Sequence, residues 1–262
     1  MLYYPQLSSG SIGQFPIRRR SQMRTVSNET LSGDTIRTAD TGWQAVRWEL
    51  QHKQLTNEEW LAIEQLFEAS EGRLGTFTFL DPTDNLLVWS EDWTKQAWTA
   101  GALIQVTGGM ADPLGGTAAM QVGHTGQAAE RIVQTVGGAS WFQYCFSVYL
   151  RAGSTVTAQM VVATSGEESK DAVVVGTTWT RVVKTGSLSA KQDGIGFGVE
   201  LPAAATIQVF GAQVEAQPAA GLYKKTTDRG GVYAKTRFDS DSLLVTADGK
   251  NSNSGVVRLV SN

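Results

Sequence analysis

Apolar and polar positions follow two different rhythms along this chain. Residues 43–50 alternate, with Val46, Trp48 and Leu50 on one side and mostly Gln44, Arg47, Glu49 and Gln51 on the other, the period of a half-buried strand. The rhythm then lengthens. Trp60, Ile63, Leu66 and Phe67 recur at helical spacing. They follow Thr56-Asn57-Glu58-Glu59, a capping box in which the Thr56 hydroxyl accepts from the Glu59 amide while the Glu59 carboxylate reaches back. Leu55 and Trp60 are placed as a hydrophobic staple, and Gly72 suits a left-handed C-terminal cap. The pattern predicts one helix at about 57–71 that packs its aromatic stripe on a sheet. Thr76-Phe77-Thr78-Phe79-Leu80 follows as a short buried strand, ended by Asp81-Pro82.

From residue 85 to 226 helical periodicity disappears. Short alternating runs recur between glycines at 153, 166, 176, 186 and 194. Phe142, Tyr144, Phe146, Val148 and Leu150 share one face. So do Val156, Ala158, Met160 and Val162, and more weakly Ile207, Val209, Gly211 and Gln213. Strands spaced about 8–12 residues apart predict an all-β jelly roll of two antiparallel sheets. Residues 227–262 resume the first pattern, with strands expected at 231–234, 242–246 and 256–260 and a turn at Asp248-Gly249. Some 35 residues are too few for a domain. The expected organisation is therefore mainly β: a discontinuous unit of 1–84 plus 227–262 with one helix, interrupted by a sandwich at 85–226. Phe15-Pro16-Ile17 before Arg18-Arg19-Arg20 reads as an extended arm or an edge strand. A solvated face is favoured for the arginines over contact with an acidic partner.

Composition narrows the chemistry. The net charge is −3, and residues 1–82 carry eight Lys/Arg against ten Asp/Glu, so no basic domain for nucleic acid is hidden in the total. One cysteine, Cys145, excludes an internal disulfide and reads as a buried apolar residue. With two histidines, His52 and His124, a Cys/His metal centre is not expected. The N-terminus lacks a signal-peptide pattern and no apolar run approaches the ~20 residues of a membrane span. The expectation is a soluble chain, made in a cytoplasm, without membrane insertion. Neither a nucleophile elbow, a phosphate loop nor a metal-helix motif occurs, and among the 25 acids no pair stands out, so neither catalysis nor a cofactor is expected. Glu91-Asp92 and Glu167-Glu168 read as surface pairs.

Two resemblances add to this. Asn85-Leu86-Leu87-Val88-Trp89-Ser90-Glu91-Asp92, Trp98 and Asp112-Pro113-Leu114-Gly115-Gly116-Thr117-Ala118 resemble the opening of carbohydrate-binding-module-like sandwiches found in phage tail and fibre proteins. Gln134, the run 146–152, Trp179-Thr180-Arg181, the run 210–215, Tyr223 and Thr226 follow in the expected order. The flanks, with residues 43–50, the capped helix and 75–81, resemble a phage distal tail protein with a tail-tube-like domain. The resemblance implies a virion protein. Its ring, hexameric by analogy, joins the tail tube to tip or baseplate hub proteins, with DNA passing through the lumen without specific binding. Trp48, Trp60, Ile63, Phe67, Phe77 and Phe79 would serve the core and assembly of that ring. The alternative is a tail-fibre-type protein that binds host-surface polysaccharide. Of the aromatic supply for stacking on sugar, Trp93, Trp89 and Trp141 are the candidates, Trp93 first, whereas Trp98 and Trp179 look structural. Asp112 is a turn residue in preference to a Ca²⁺ ligand.

Overall fold

A computed structural model describes residues 1–261, the side chains of 41–43 excepted. Trp43, where the first alternating run was expected to begin, therefore lies outside the described side chains. The fold is mainly β with one helix and three antiparallel sheets, and it divides into two compact units. The first comprises Met1–Leu7, Gly13–Phe79 and Tyr233 to the end of the described chain. The second comprises Ser8–Ile12 and Leu80–Val232.

The first unit is built on a six-stranded sheet. β1 (Ile17–Glu29) forms its edge against β2 (Thr35–Leu55), so the Arg18–Arg20 segment belongs to a strand. β2 pairs on its other side with β16 (Ser252–Ser261), which pairs in turn with β14 (Val232–Phe238) and with β15 (Val245–Gly249). β3 (Phe77–Leu80) completes the order β1-β2-β16-β14-β3. β15 lies three residues later than the run expected at 242–246. Its hairpin to β16 turns at Lys250 and Asn251, so Asp248 and Gly249 stay in the strand.

Helix α1 (Asn57–Ala69) carries the predicted capping box, with both reciprocal bonds formed. It stops two residues short of the expected Glu71. Ser70 is the C-cap, and both Glu71 (φ 51°) and Gly72 (φ 62°) are left-handed, so the chain leaves the helix over two residues where one was expected. Trp60, Ile63 and Leu66 are buried; Phe67 is half-buried, edge-on to Phe238 at 5.0 Å. Phe79 lies 5.0 Å from Trp48 and 5.6 Å from Tyr4, and Phe77 lies 5.1 Å from Phe238. Trp48, Trp60, Ile63, Phe77 and Phe79 are thus interior. Each buried side chain of this size contributes roughly 1.5–3 kcal/mol. Being interior, they hold the unit together and are not surfaces on which copies of the chain meet.

The second unit is a sandwich. One five-stranded sheet runs β10 (Glu168–Val175), β9 (Val156–Ala163), β12 (Asp193–Leu201), β7 (Glu130–Ala139), β4 (Trp98–Ala100). The other runs β11 (Thr180–Gly186), β8 (Tyr144–Arg151), β13 (Thr206–Glu215), β6 (Ala119–His124), β5 (Ile104–Met110). Phe197 of the first sheet meets Tyr144 and Phe146 of the second at 5.3 and 6.0 Å, so the two inner faces share one core. Ile195, Phe197, Val199 and Leu201 point into it, and Gly194, Gly196 and Gly198 alternate with them. A Cβ on Gly198 would lie 2.0 Å from the Ile132 carbonyl oxygen, so that position admits only glycine. In β13 the expected single face breaks. A bulge between Phe210 and Gln213, with Gly211 at φ 61°, sets Gln213 opposite Ser147 on the outer face while Ile207 and Val209 remain inside.

Candidate saccharide-binding face

The tryptophans selected from sequence do not form a platform. Trp93 is 2% exposed and stacks on buried Trp98 at 4.1 Å and 12°, so its proposed role in sugar contact is withdrawn: the pair fills the core beneath the 89–98 loop. Trp89 is half-buried, its φ is 50°, and the Lys95 ammonium sits 5.1 Å from its ring centroid. Its carbonyl accepts from the Trp98 indole N–H at 3.1 Å. Trp141 is 36% exposed and edge-on to Phe142, in the turn preceding β8. Asp112 is a turn residue. Its carboxylate accepts from the amides of Ala118, Gly116 and Leu114, and these bonds, Ala118 first, hold it below the usual carboxylate range. Among the described residues no three His, Cys, Asp or Glu side chains group as metal ligands. Cys145 is buried in β8, and burial pushes its thiol up to about 11.

What the fold does assemble lies on the outer face of the β11-β8-β13-β6-β5 sheet. Strand register sets Thr107 opposite Gln121, Gln121 opposite Gln208, and Gln208 opposite Arg151. Gln121, Gln208 and Arg151 alternate with core positions (Val122, Ile207 and Val209, Leu150) and so point away from the core, and Thr107 shares their face through its pairing with Gln121. Arg151 donates to Gln208 Oε1 through Nε (2.8 Å) and Nη2 (2.5 Å), and its guanidinium carbon lies 4.8 Å from the Trp179 ring centroid. With adjacent strands ~4.8 Å apart, the row from Thr107 to Trp179 runs roughly 19 Å across the sheet. Tyr149 stands next to it on β8, facing Arg181 at 5.7 Å.

The row keeps partial exposure, whereas the rest of that face is covered. The segment after β13 folds back over it. Tyr223 packs on Phe210 at 5.5 Å and against Gly211, where an added Cβ would lie 3.1 Å from the ring on a left-handed backbone (φ 61°). The Tyr223 hydroxyl bonds Ser90 and donates to Glu91, and burial pushes it well above the usual phenol range. Arg181 donates to the Gly221 carbonyl at 2.7 Å, which pins the segment down. Gln121, Gln208, Tyr149, Arg151 and Trp179 remain half-buried and Thr107 exposed. The Trp179 indole N–H is buried without a hydrogen-bond partner.

The opposite outer face differs. There Arg131–Glu168, Lys170–Glu168 and Lys170–Glu200 form a chain of ion pairs at 2.9–3.0 Å across β7, β10 and β12. The Lys170 bond and charge hold Glu168 below its usual range. These charges answer one another, whereas the amides of Gln121 and Gln208 keep capacity for hydroxyl groups.

In the first unit, a cavity of about 750 Å³ lies against β2, β15 and β16, lined by Gln51, Lys53, Leu244, Thr246 and Arg258 among others. His52 contributes to its wall, but its imidazole is buried and bonded through Nε2 to the Tyr4 hydroxyl at 2.8 Å. Burial depresses it to about 4, so it is neutral at pH 7.

Sequence reasoning missed the row because its residues lie on four loops' worth of separated chain, from Thr107 to Gln208, and only pairing brings them together. The available signal was the outward parity of Arg151 and Gln208 on strands whose inward face was already legible; the strand that carries Gln121 was not read from the sequence.

No protein-family model and no curated protein matches the sequence. Solved structures do show likeness. The CBM22-1 xylan-binding domain from Paenibacillus barcinonensis Xyn10C aligns at 20% identity over 52% of this chain and 97% of that one, with a TM-score of 0.42. The CBM22-1–GH10 modules of Clostridium thermocellum xylanase 10B, complexed with xylohexaose, align at 16% identity over 53% of this chain, TM-score 0.41. The enzymatically active domain of bacteriophage CBA120 tailspike protein 4 aligns at 12% identity over 52%, TM-score 0.41. This chain spans 28% of the xylanase modules and 22% of the tailspike domain. About half of this chain is concerned in each case, and the likeness is one of fold.

Proposed function

We propose that the chain is a saccharide-binding protein whose sandwich holds a glycan along the open outer row of its second sheet. The observation that carries this reading is the register of Thr107, Gln121, Gln208 and Arg151, extended by Trp179, left uncovered beside a face that the 217–226 segment otherwise closes. Amide and guanidinium groups at fixed spacing match successive hydroxyls, and Trp179 and Tyr149 offer ring faces and edges to pyranose. A row about 19 Å long accommodates several sugar units. It contains no carboxylate, so it grips a glycan without supplying the acid pair that cleavage requires. In this reading the protein is not an enzyme and its partner is a polysaccharide.

The test is titration of the full chain with xylohexaose and with a panel of bacterial surface oligosaccharides. Binding to at least one, weakened tenfold or more by Arg151→Ala and by Gln208→Ala in proteins of unchanged melting temperature, is the expected result. Binding that survives both substitutions would place the site elsewhere.

A second reading is a structural subunit of a phage tail, a ring between tube and tip or baseplate whose sandwich carries the glycan contact. The observation favouring it is in the first unit, where the β1–β2 ribbon has no cover on either face from 24 to 40. Native mass spectrometry tests it: a closed oligomer, six-fold in particular, supports it and a strict monomer counts against it.

A further inference from the structure

The ribbon formed by β1 and β2 continues beyond the sheet. From Arg24↔Asp40 to Glu29↔Thr35 the two strands pair only with each other, and nearly every residue is exposed. Val26, Leu31 and Ile36 are among the exposed large apolar side chains. An isolated two-stranded ribbon is marginal in water, so this one is suited to packing on something. Along β1, alternation puts Arg18, Arg20, Arg24 and Val26 on one face, with Ile36 brought to the same face opposite Asn28. Arg18 and Arg24 answer Glu49 and Asp40, while Arg20 has no ion-pair partner among the described residues and lies opposite Arg47.

Helix α1 presents the complement. Its buried stripe is Trp60, Ile63 and Leu66; its exposed stripe is Glu58, Leu61, Gln65 and Glu68, at spacings of three, four and three. Leu61 is 49% exposed. The helix contains Glu58, Glu59, Glu64 and Glu68 and no Lys or Arg. Glu59 is used in the cap and Glu64 accepts from the Trp60 indole, but Glu58 and Glu68 enter no ion pair among the described residues. An apolar residue between two free acids thus stands in one place, and apolar residues beside arginines in another.

We propose that the Arg20/Arg24/Val26/Ile36 face of the ribbon docks on the Glu58/Leu61/Glu68 stripe of α1 in a second copy of this chain. The two patches are different surfaces of one unit. The contact is therefore head-to-tail, and repetition closes a ring or extends a filament. The inference rests on the assembly reading above and assigns its surfaces; it is independent of saccharide binding.

Charge reversal on each side tests it in the full chain. R20E/R24E reverses the ribbon and E58K/E68K reverses the helix, leaving the Thr56–Glu59 cap in place. Far-UV circular dichroism checks that both fold. The wild type is expected to associate, with an apparent dissociation constant that rises tenfold or more between 50 and 500 mM salt. Each variant alone is expected to be monomeric at the same concentration. An equimolar mixture of the two restores association, because each reversed ribbon finds a reversed helix and each native ribbon a native one. A mixture that stays monomeric overturns the contact. So does an oligomer indifferent to both reversals, which leaves assembly standing on other surfaces. A wild type that is monomeric throughout overturns contact and assembly together. Retention of duplex DNA lost in R20E/R24E, with no self-association, would reassign the ribbon to nucleic acid.

Discussion

The two units expose opposite kinds of surface. In the sandwich, outward side chains are already engaged with one another: Arg151 with Gln208 and Trp179, Arg181 with Ser147 and Gly221, Lys170 with two glutamates. In the first unit the ribbon's outward side chains largely meet water, and its length beyond Met23 adds little buried area. A face that is held rigid by its own bonds is preorganised to receive a small ligand at low entropic cost. A ribbon with bare faces costs stability unless a larger partner covers it. In the reading proposed above, ligand recognition falls to one unit and assembly to the other.

The sharpest way to break the contrast is to unfold one unit at a time. Phe79→Ala removes a fully buried ring touching Trp48 and Tyr4, and Phe197→Ala removes one touching Tyr144 and Phe146. Each is expected to cost about 3–5 kcal/mol in its own unit. Differential scanning calorimetry should show one transition moving in each variant and the other unmoved; a common shift in both would show that the units do not melt separately.

Acid acts next. His52 titrates at about 4 in the fold and near 6.5 when unfolded, so between these values only the unfolded chain binds the proton. Its contribution to stability is complete above pH 6.5 and is lost as pH falls toward 4, by about 3 kcal/mol in all. The transition of the first unit should weaken across that window, and His52→Gln should flatten the slope. Invariance of the wild type from pH 7 to 4 would contradict the buried neutral imidazole.

A smaller effect is expected from Thr56→Ala, which removes the hydroxyl from the capping box and should cost about 1 kcal/mol in the first unit. Smallest of all is Leu31→Ser at the ribbon tip, where the side chain is wholly exposed. The unfolding free energy should be unchanged within about 0.5 kcal/mol. A marked loss would mean the tip is covered within the single chain.

Helix α1 was legible because all its determinants are local: cap, staple and stripe lie within sixteen residues, from Leu55 to Ser70. The inward strand faces were legible for the same reason, since alternation along one strand needs no knowledge of its neighbour. Aromatic exposure was not. Trp93 and Trp179 are indistinguishable by type, yet one stacks on Trp98 in the core while the other lies half-open beneath Arg151. Which of them meets solvent depends on loops crossing above them, and no periodicity encodes that. The register slip at Gly211 has a similar cause, because a single bulge reverses every side chain after it.

The sequence by itself determined the helix and the apolar faces of the runs at 43–50, 142–150 and 156–162, because those preferences act over one turn of helix or two residues of strand; β4 to β7 and β10 to β12 were not read from it. It set the change of pattern at 84 and its return at 227, whereas the compact units divide after Phe79 and after Val232 and Ser8–Ile12 joins the second unit. Only the tertiary structure decided that Thr107, Gln121, Gln208 and Arg151 stand in one row and that the ribbon from 24 to 40 is bare. Those outcomes depend on strand register and on what covers each face, and both arise from contacts between residues far apart in the chain.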